Sequence, residues 1–247
     1  MNKCLGIIGG HGSNAAIELQ YYVNEEINKN LETRKYIRTI VINDGTVNKD
    51  NETVHNLYEN MDINTEVEES ILKSCNSLKK LGCTIITIPC NTYSNLLSKK
   101  SGIKIINIID ITSEWVKYRF PTIKKLGLIA TQQTINSRFY HDRLKNYEII
   151  CFKELKIDIN SIILCAQYGY YNKEPSKEIL LKLEMDEESN LIKTMNKIID
   201  KFRSNGINHL ILGCTELPLF VKYNRTELKK IIFIDTMEIL AKNIIEI

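Results

Sequence analysis

Two of the seven cysteines in this 247-residue chain stand in polar turns, and the other five do not. Cys90 follows the apolar run Thr84-Ile85-Ile86-Thr87-Ile88 and sits in Pro89-Cys90-Asn91-Thr92. Cys214 follows His209-Leu210-Ile211-Leu212 and sits in Gly213-Cys214-Thr215-Glu216. A short apolar run, then a polar turn, then helical periodicity reads as a strand feeding a helix. Free N–H groups at such a helix start stabilise a thiolate and can equally hold a carboxylate. A thiolate can take a proton from carbon, and a thiol can give one back. Cys4, Cys75, Cys83, Cys151 and Cys165 lie inside apolar runs and read as packing.

The two turns are copies of one another. Leu5-Gly6-Ile7-Ile8 returns as Leu126-Gly127-Leu128-Ile129, and Ile108-Ile109-Asp110-Ile111-Thr112 returns as Phe233-Ile234-Asp235-Thr236, in the same order around the cysteines. Such an internal duplication implies two homologous halves about a pseudo-twofold axis. Equivalent thiols would then face one cleft from opposite sides. That suits a reaction that removes a proton from one face of a carbon and returns one to the other.

The elements that must carry these turns alternate. Apolar runs at 4–8, 37–42, 84–88, 105–109, 126–130, 148–152, 208–212 and 231–234 read as buried strands, and Ala15 to Ile27, Glu66 to Leu81, Glu187 to Phe202 and Thr236 to Ile245 read as helices. Strand-helix alternation gives the α/β class, with parallel sheets, right-handed crossovers and a ligand site beyond the carboxyl ends of the strands. The expected layout is two pseudosymmetric domains, each a mostly parallel sheet flanked by helices, over 1–120 and 121–234. The last helix, 235–247, can pack back on the first domain. The loop Gly6-Ile7-Ile8-Gly9-Gly10-His11-Gly12 lacks GxGxxG spacing and a following acidic residue, so it is a poor dinucleotide fingerprint. It reads instead as a tight turn whose backbone comes close to a small ligand, with Gly10 at its bend. His11 either orients that ligand or is simply solvated.

Composition excludes several classes. The net charge of +3 comes from acidic and basic residues mixed along the chain, so no face for nucleic acid or a membrane surface is expected. There is no basic-then-apolar leader pattern and no apolar stretch of about 18 residues, which points to a cytoplasmic protein. Seven cysteines without CxxC spacing suggest neither a disulfide framework nor a zinc site. No metal or other cofactor is expected.

GIIGGHG, PCNT, the LIAT strand end with Ser137-Arg138-Phe139-Tyr140 after it, LGCTELPL and the final IDT helix together resemble the aspartate/glutamate racemase family over nearly the whole chain. GCTEL rather than GCTH is closer to aspartate-type and broad-specificity members than to cell-wall glutamate racemases. The resemblance implies a cofactor-independent racemase of a small amino acid, with its active site in the cleft between two α/β domains, assembled as a homodimer. Cys90 and Cys214 match the family's catalytic pair, the first assigned to the D-enantiomer and the second to the L-enantiomer. Asn91, Thr92, Thr215 and Glu216 would bind the α-carboxylate and amino group. Thr131, the symmetry mate of Gly10, and Thr134 would line the same cleft.

Two departures bear on the substrate. Aspartate-type relatives carry an arginine in the loop after the second strand, whereas here that loop reads Asn43-Asp44-Gly45-Thr46-Val47-Asn48-Lys49-Asp50. The family's lysine after a YG segment survives as Lys173, which could bind a distal carboxylate or be an exposed loop residue. Asp44 could equally indicate a neutral or basic substrate. Aspartate or glutamate lead; hydantoins, a decarboxylase or isomerase in the same cleft, and a silent carboxylate-binding protein are the alternatives.

Overall fold

The computed structural model describes residues 3–10, 14–29, 36–45, 55, 65–97 and 104–247. Its strands and helices run β1 (Cys4–Gly9), α1 (Ala15–Lys29), β2 (Arg38–Asn43), α2 (Thr65–Lys80), β3 (Ile85–Thr87), β4 (Lys104–Ile106), α3 (Ile108–Arg119), β5 (Lys125–Ile129), α4 (Gln132–Asn136), α5 (Phe139–Arg143), β6 (Glu148–Ile150), α6 (Lys156–Gln167), α7 (Lys177–Lys182), α8 (Leu191–Ser204), β7 (His209–Leu212), α9 (Glu216–Asn224), β8 (Ile232–Ile234) and α10 (Thr236–Glu246).

These elements form two compact units. One holds β1 to β4 with α1, α2, α3 and α10, and the other holds β5 to β8 with α4 to α9; the chain crosses between them after Arg119 and after Asp235. Each unit has one four-stranded parallel sheet, in the orders β2-β1-β3-β4 and β6-β5-β7-β8. All six residues of β1 are buried, as expected for a parallel strand with helices over both faces. α10 packs on α1 and α3. In the second unit α8 turns Leu191, Met195, Ile198, Ile199 and Phe202 into the core at helical spacing.

All eight expected strands are present, with shifts at their ends that have local causes. β4 stops at Ile106 because Asn107 caps α3: its Oδ1 accepts from the N–H of Ile109 at 2.8 Å and of Asp110 at 3.3 Å, splitting one apolar run into strand and helix. α8 begins at Leu191 rather than Glu187 because Asn190 accepts from the N–H of Lys193 at 2.8 Å. Among the described residues, no helix is long and apolar enough to cross a membrane.

Both sheets reverse direction of growth at a defined place. From β1 the chain adds β2 on one side and β3 on the other, and from β5 it adds β6 on one side and β7 on the other. The carboxyl ends of β1/β3 and of β5/β7 are therefore the switch points, where open α/β sheets leave a crevice.

Candidate active site

The registers carry the cysteine turns to those switch points. Ile7 pairs with Thr87, and that register continued three residues past the last pair sets Gly10 level with Cys90. Ile129 pairs with Leu212, and continuing that register by two residues sets Thr131 level with Cys214. Gly10 and Thr131 thus hold corresponding places in the two sheets.

In the first unit the turn is tight. The Cys90 N–H donates to the Ile88 carbonyl at 2.8 Å, and the Ser94 N–H donates to the Cys90 carbonyl at 3.0 Å. Among the described residues the chain then makes a 3₁₀ turn, Ser94–Leu97. Asn91 and Thr92 are buried, and Cys90 is half-buried. Ser94 Oγ donates to Asn107 Oδ1 at 3.3 Å, and Asn107 Nδ2 donates to Asn95 Oδ1 at 2.6 Å. The residue that caps α3 therefore also anchors the Cys90 turn.

The glycine loop is shaped by the protein itself. Gly10 has φ +95°, and a Cβ there would fall 2.1 Å from the Asp44 carbonyl oxygen. The close approach expected for a ligand is thus already made by the end of β2. The Asp44 carboxylate accepts from Ser70 Oγ of α2 at 2.6 Å. His11 and residues 46–50 lie outside the described residues.

The second turn differs in its side chains. Gly213 donates its N–H to the Ile129 carbonyl at 2.8 Å, extending the β5–β7 ladder up to Cys214. A Cβ on Gly213 would lie 2.6 Å from Leu128 Cδ1 and 2.9 Å from Ala130 Cβ. Thr215 then stands at the N-cap position of a nine-residue α-helix, α9, without a side-chain capping hydrogen bond. Cys214 Sγ donates to Glu216 Oε2 at 2.8 Å, and Thr215 Oγ1 donates to the same oxygen at 3.3 Å. Burial is the main influence on the Glu216 carboxyl and raises its pKa, against hydrogen bonds from Cys214, its own backbone, Gln167 and Thr215. Glu216 therefore points into the protein, where the resemblance implied a group reaching for the substrate. Thr131 and Thr134 are buried and occupied with each other: Thr131 Oγ1 accepts from the Thr134 N–H at 3.4 Å, capping α4, and donates to the Thr134 hydroxyl at 3.2 Å.

Two residues stand apart from the sequence expectation. Lys173 lies 5.1 Å above the Tyr170 ring and lines a cleft of about 220 Å³ with Glu174, Phe220, Asn224 and Glu227. Phe220 and Asn224 belong to the second half of α9 and Glu227 lies beyond it, whereas Cys214 precedes the first turn of that helix; from Cys214 to Asn224 is about 15 Å at 1.5 Å per residue. Gln167, the last residue of α6, was missed; its signal was a lone amide closing the apolar run Ile162-Ile163-Leu164-Cys165-Ala166.

Three of the remaining thiols are ill suited to proton transfer. Burial pushes Cys83, which hydrogen-bonds Cys4 at 3.5 Å, and Cys165 up to about 12, and Cys151 up to about 11. Among the described residues no three of His, Cys, Asp and Glu come together as a metal would need.

Comparison with known proteins places this arrangement. Glutamate racemase 3 of Caldanaerobacter subterraneus subsp. tengcongensis is 23% identical over 192 residues, which make up 73% of this chain and 61% of that racemase. The crystal structure of an aspartate racemase homologue from Pyrococcus horikoshii superposes with a TM-score of 0.68 at 24% identity, covering 100% of this chain and 98% of the other. The aspartate racemase of Picrophilus torridus gives 0.69 at 22% identity, covering 99% and 94%. At those identities the superpositions establish the two-domain α/β fold. The family described as Asp/Glu/Hydantoin racemase matches residues 50–244, well over half of the chain, and the protein belongs to that family.

Proposed function

We propose that this chain is an amino-acid racemase that works without metal, pyridoxal phosphate or other cofactor. It interconverts L- and D-amino acids, with aspartate or glutamate as substrate, by proton transfer through Cys90 and Cys214. The observation that carries this reading is the repeated placement of a thiol at the switch point of each sheet, one level with Gly10 and one level with Thr131. Aspartate and glutamate are favoured because related proteins are named for them.

One thiolate removes the Cα proton while the other thiol returns a proton to the other face. An α-proton is far less acidic than a thiol, whose ordinary pKa is about 8.5, so the site must stabilise the enediolate. Backbone N–H groups at the Asn91–Thr92 and Thr215 turns would hold the α-carboxylate and the charge growing on it. The two cysteines exchange roles for the opposite enantiomer.

The test is solvent exchange. Each L- and D-amino acid is incubated with the protein in heavy water, and Cα deuteration is followed by NMR with chiral chromatography alongside. Deuteration with inversion of aspartate or glutamate, unchanged by chelation, is expected. Exchange with hydantoins alone would move the substrate and keep the chemistry. No exchange with any candidate would overturn the assignment.

A further inference from the structure

Cys4 opens β1, and Cys83 stands two residues before β3, the strand beside it. Cys4 Sγ donates to Cys83 Sγ at 3.5 Å, and both residues are buried, at 3% and 5% exposure. Three features hold the two sulfurs together. The Thr84 N–H donates to the Cys4 carbonyl at 2.9 Å, and the Cys4 N–H donates to Thr84 Oγ1 at 3.2 Å, fixing the amino ends of the two strands. α2 stops at Gly82, which has φ +85°. There the Gly82 N–H donates to the Lys79 carbonyl and the Cys83 N–H to the Leu78 carbonyl, both at 3.0 Å, a paired helix stop that fixes Cys83. Gly6, two residues beyond Cys4 on the same face of β1, leaves the room, since a Cβ there would lie 3.2 Å from Cys83 Sγ. Leu5 pairs with Ile85, so Cys4 is level with Thr84, and Cys83 is one residue back. Strands about 4.8 Å apart with a rise of about 3.3 Å per residue then put the two Cα atoms about 6 Å apart, within the range that disulfides span.

We propose that Cys4 and Cys83 form an oxidisable pair: a small organic disulfide takes two electrons from them and leaves a reversible Cys4–Cys83 bridge. One cysteine, as thiolate, attacks the small disulfide, forming a mixed disulfide and releasing one small thiolate. The other cysteine then attacks the protein sulfur of that mixed disulfide, closing the bridge and releasing the second. The two protons of the cysteine thiols pass to the two released thiolates. Entry of the small disulfide requires the amino end of β1 to part from Thr84. Burial, with the Cys4 contact second to it, pushes the Cys83 thiol up to about 12, so thiolate is scarce at neutral pH and closure is slow, on the scale of hours. The bridge acts as a clamp. β1 and β3 are neighbours at the centre of their sheet, and the same two strands lead to Gly10 and Cys90 at their other ends. The two cysteines are 79 residues apart in sequence, so a bridge restricts a long stretch of the unfolded chain and stabilises the first unit. This chemistry is independent of the racemase reaction.

The test holds the full chain in a mixture of reduced and oxidised glutathione near neutral pH. One sample stays folded for about a day, and a second is unfolded in urea and refolded in the same mixture, which removes any barrier of access. Free thiols are blocked with iodoacetamide under denaturing conditions. The unreduced tryptic digest is then read by tandem mass spectrometry, which separates a bridge at Cys83 from one at Cys90 on the same peptide. A linked Cys4–Cys83 pair, two hydrogens lighter than the reduced peptides and removed by dithiothreitol, is expected in the refolded sample and more slowly in the folded one. The bridged protein should melt about 5 °C or more above the reduced protein. Cys4→Ala and Cys83→Ala should each abolish the linked peptide and the shift. Should these variants fail to fold, the wild-type map alone decides. Absence of a Cys4–Cys83 bridge from both samples, whatever else is modified, would overturn the proposal. A bridge without a rise in Tm would keep the site and refute the clamp.

Discussion

The turns at Cys90 and Cys214 share a place in their sheets and differ in the groups around the thiol. Each follows the third strand of an identically ordered parallel sheet, at the point where sheet growth reverses. Around Cys90 the neighbours are amides and hydroxyls, Asn91, Thr92 and Ser94, and one 3₁₀ turn comes after them. Around Cys214 there is a true α-helix and a carboxyl 2.8 Å from sulfur. Duplication has preserved the placement of the thiol and not its environment. The physical consequence is that the two thiols should not be interchangeable, even though the proposed racemisation asks the same act of each.

The largest expected effect breaks the pair outright. Cys90→Ala and Cys214→Ala should each lower racemisation by about 10²–10⁴, the range a positioned acid or base contributes. Each variant should still exchange the α-proton of one enantiomer through its remaining base, and the enantiomer should differ between the two. NMR of D- and L-substrate in heavy water reads this directly. Wild-type racemisation in either variant would refute the two-base mechanism.

Backbone should separate the turns next. A Cβ at Gly10 meets the backbone carbonyl of Asp44 at 2.1 Å in a left-handed conformation, while at Gly213 it meets the movable end of Leu128 and the methyl of Ala130. Overpacking costs about 1–3 kcal/mol, and a left-handed non-glycine residue adds about 1–2 kcal/mol. Gly10→Ala should therefore lose more stability in urea unfolding than Gly213→Ala. The reverse order would show that the second switch point is the more rigid.

How much of this was legible depends on the reach of each signal. Strands and switch points were readable because a buried parallel strand needs a continuous apolar run, and all eight runs are visible in the sequence. Cys90 and Cys214 were readable because a polar turn interrupts those runs twice at matching places. The direction of Glu216 was not readable. A carboxyl after a thiol can face substrate or core, and only the end of α6, roughly fifty residues earlier in sequence, supplies the Gln167 amide that turns it inward. The split of Ile105-Ile106-Asn107-Ile108-Ile109 into strand and helix was hidden for a related reason. It depends on Asn107 acting as a cap, and an asparagine between isoleucines looks equally like a strand residue.

A smaller effect sharpens the contrast between turn thiols and packing thiols. With pKa values pushed to about 12, Cys83 and Cys165 hold very little thiolate at pH 7.5. They should alkylate at least about 10³-fold more slowly than an ordinary cysteine, before any allowance for burial. Mass mapping after brief iodoacetamide treatment should find label on Cys90 and Cys214 first. Early label on Cys83 or Cys165 would mean the sheet interiors open on that timescale.

The smallest effect concerns whether the second turn draws on Lys173. That lysine sits over Tyr170 and shares its cleft with Glu174 and Glu227, at the far end of α9 from Cys214. The Tyr171 carbonyl is held by Asn224 Nδ2 at 2.7 Å, tying this loop to the end of α9. A direct charge-assisted contact with a substrate carboxylate would be worth about 1.5–3 kcal/mol, or roughly ten- to a hundredfold in KM. From its observed place Lys173 should supply far less. Lys173→Ala should change KM for aspartate or glutamate by less than about fivefold and leave kcat unchanged, since an exposed ion pair is worth about 1 kcal/mol at most. Steady-state kinetics on both enantiomers checks this. A tenfold rise in KM for the acidic substrate, with none for a neutral one, would mean that the loop carries Lys173 to the substrate, and the second turn would then owe its specificity to a residue beyond its own helix start.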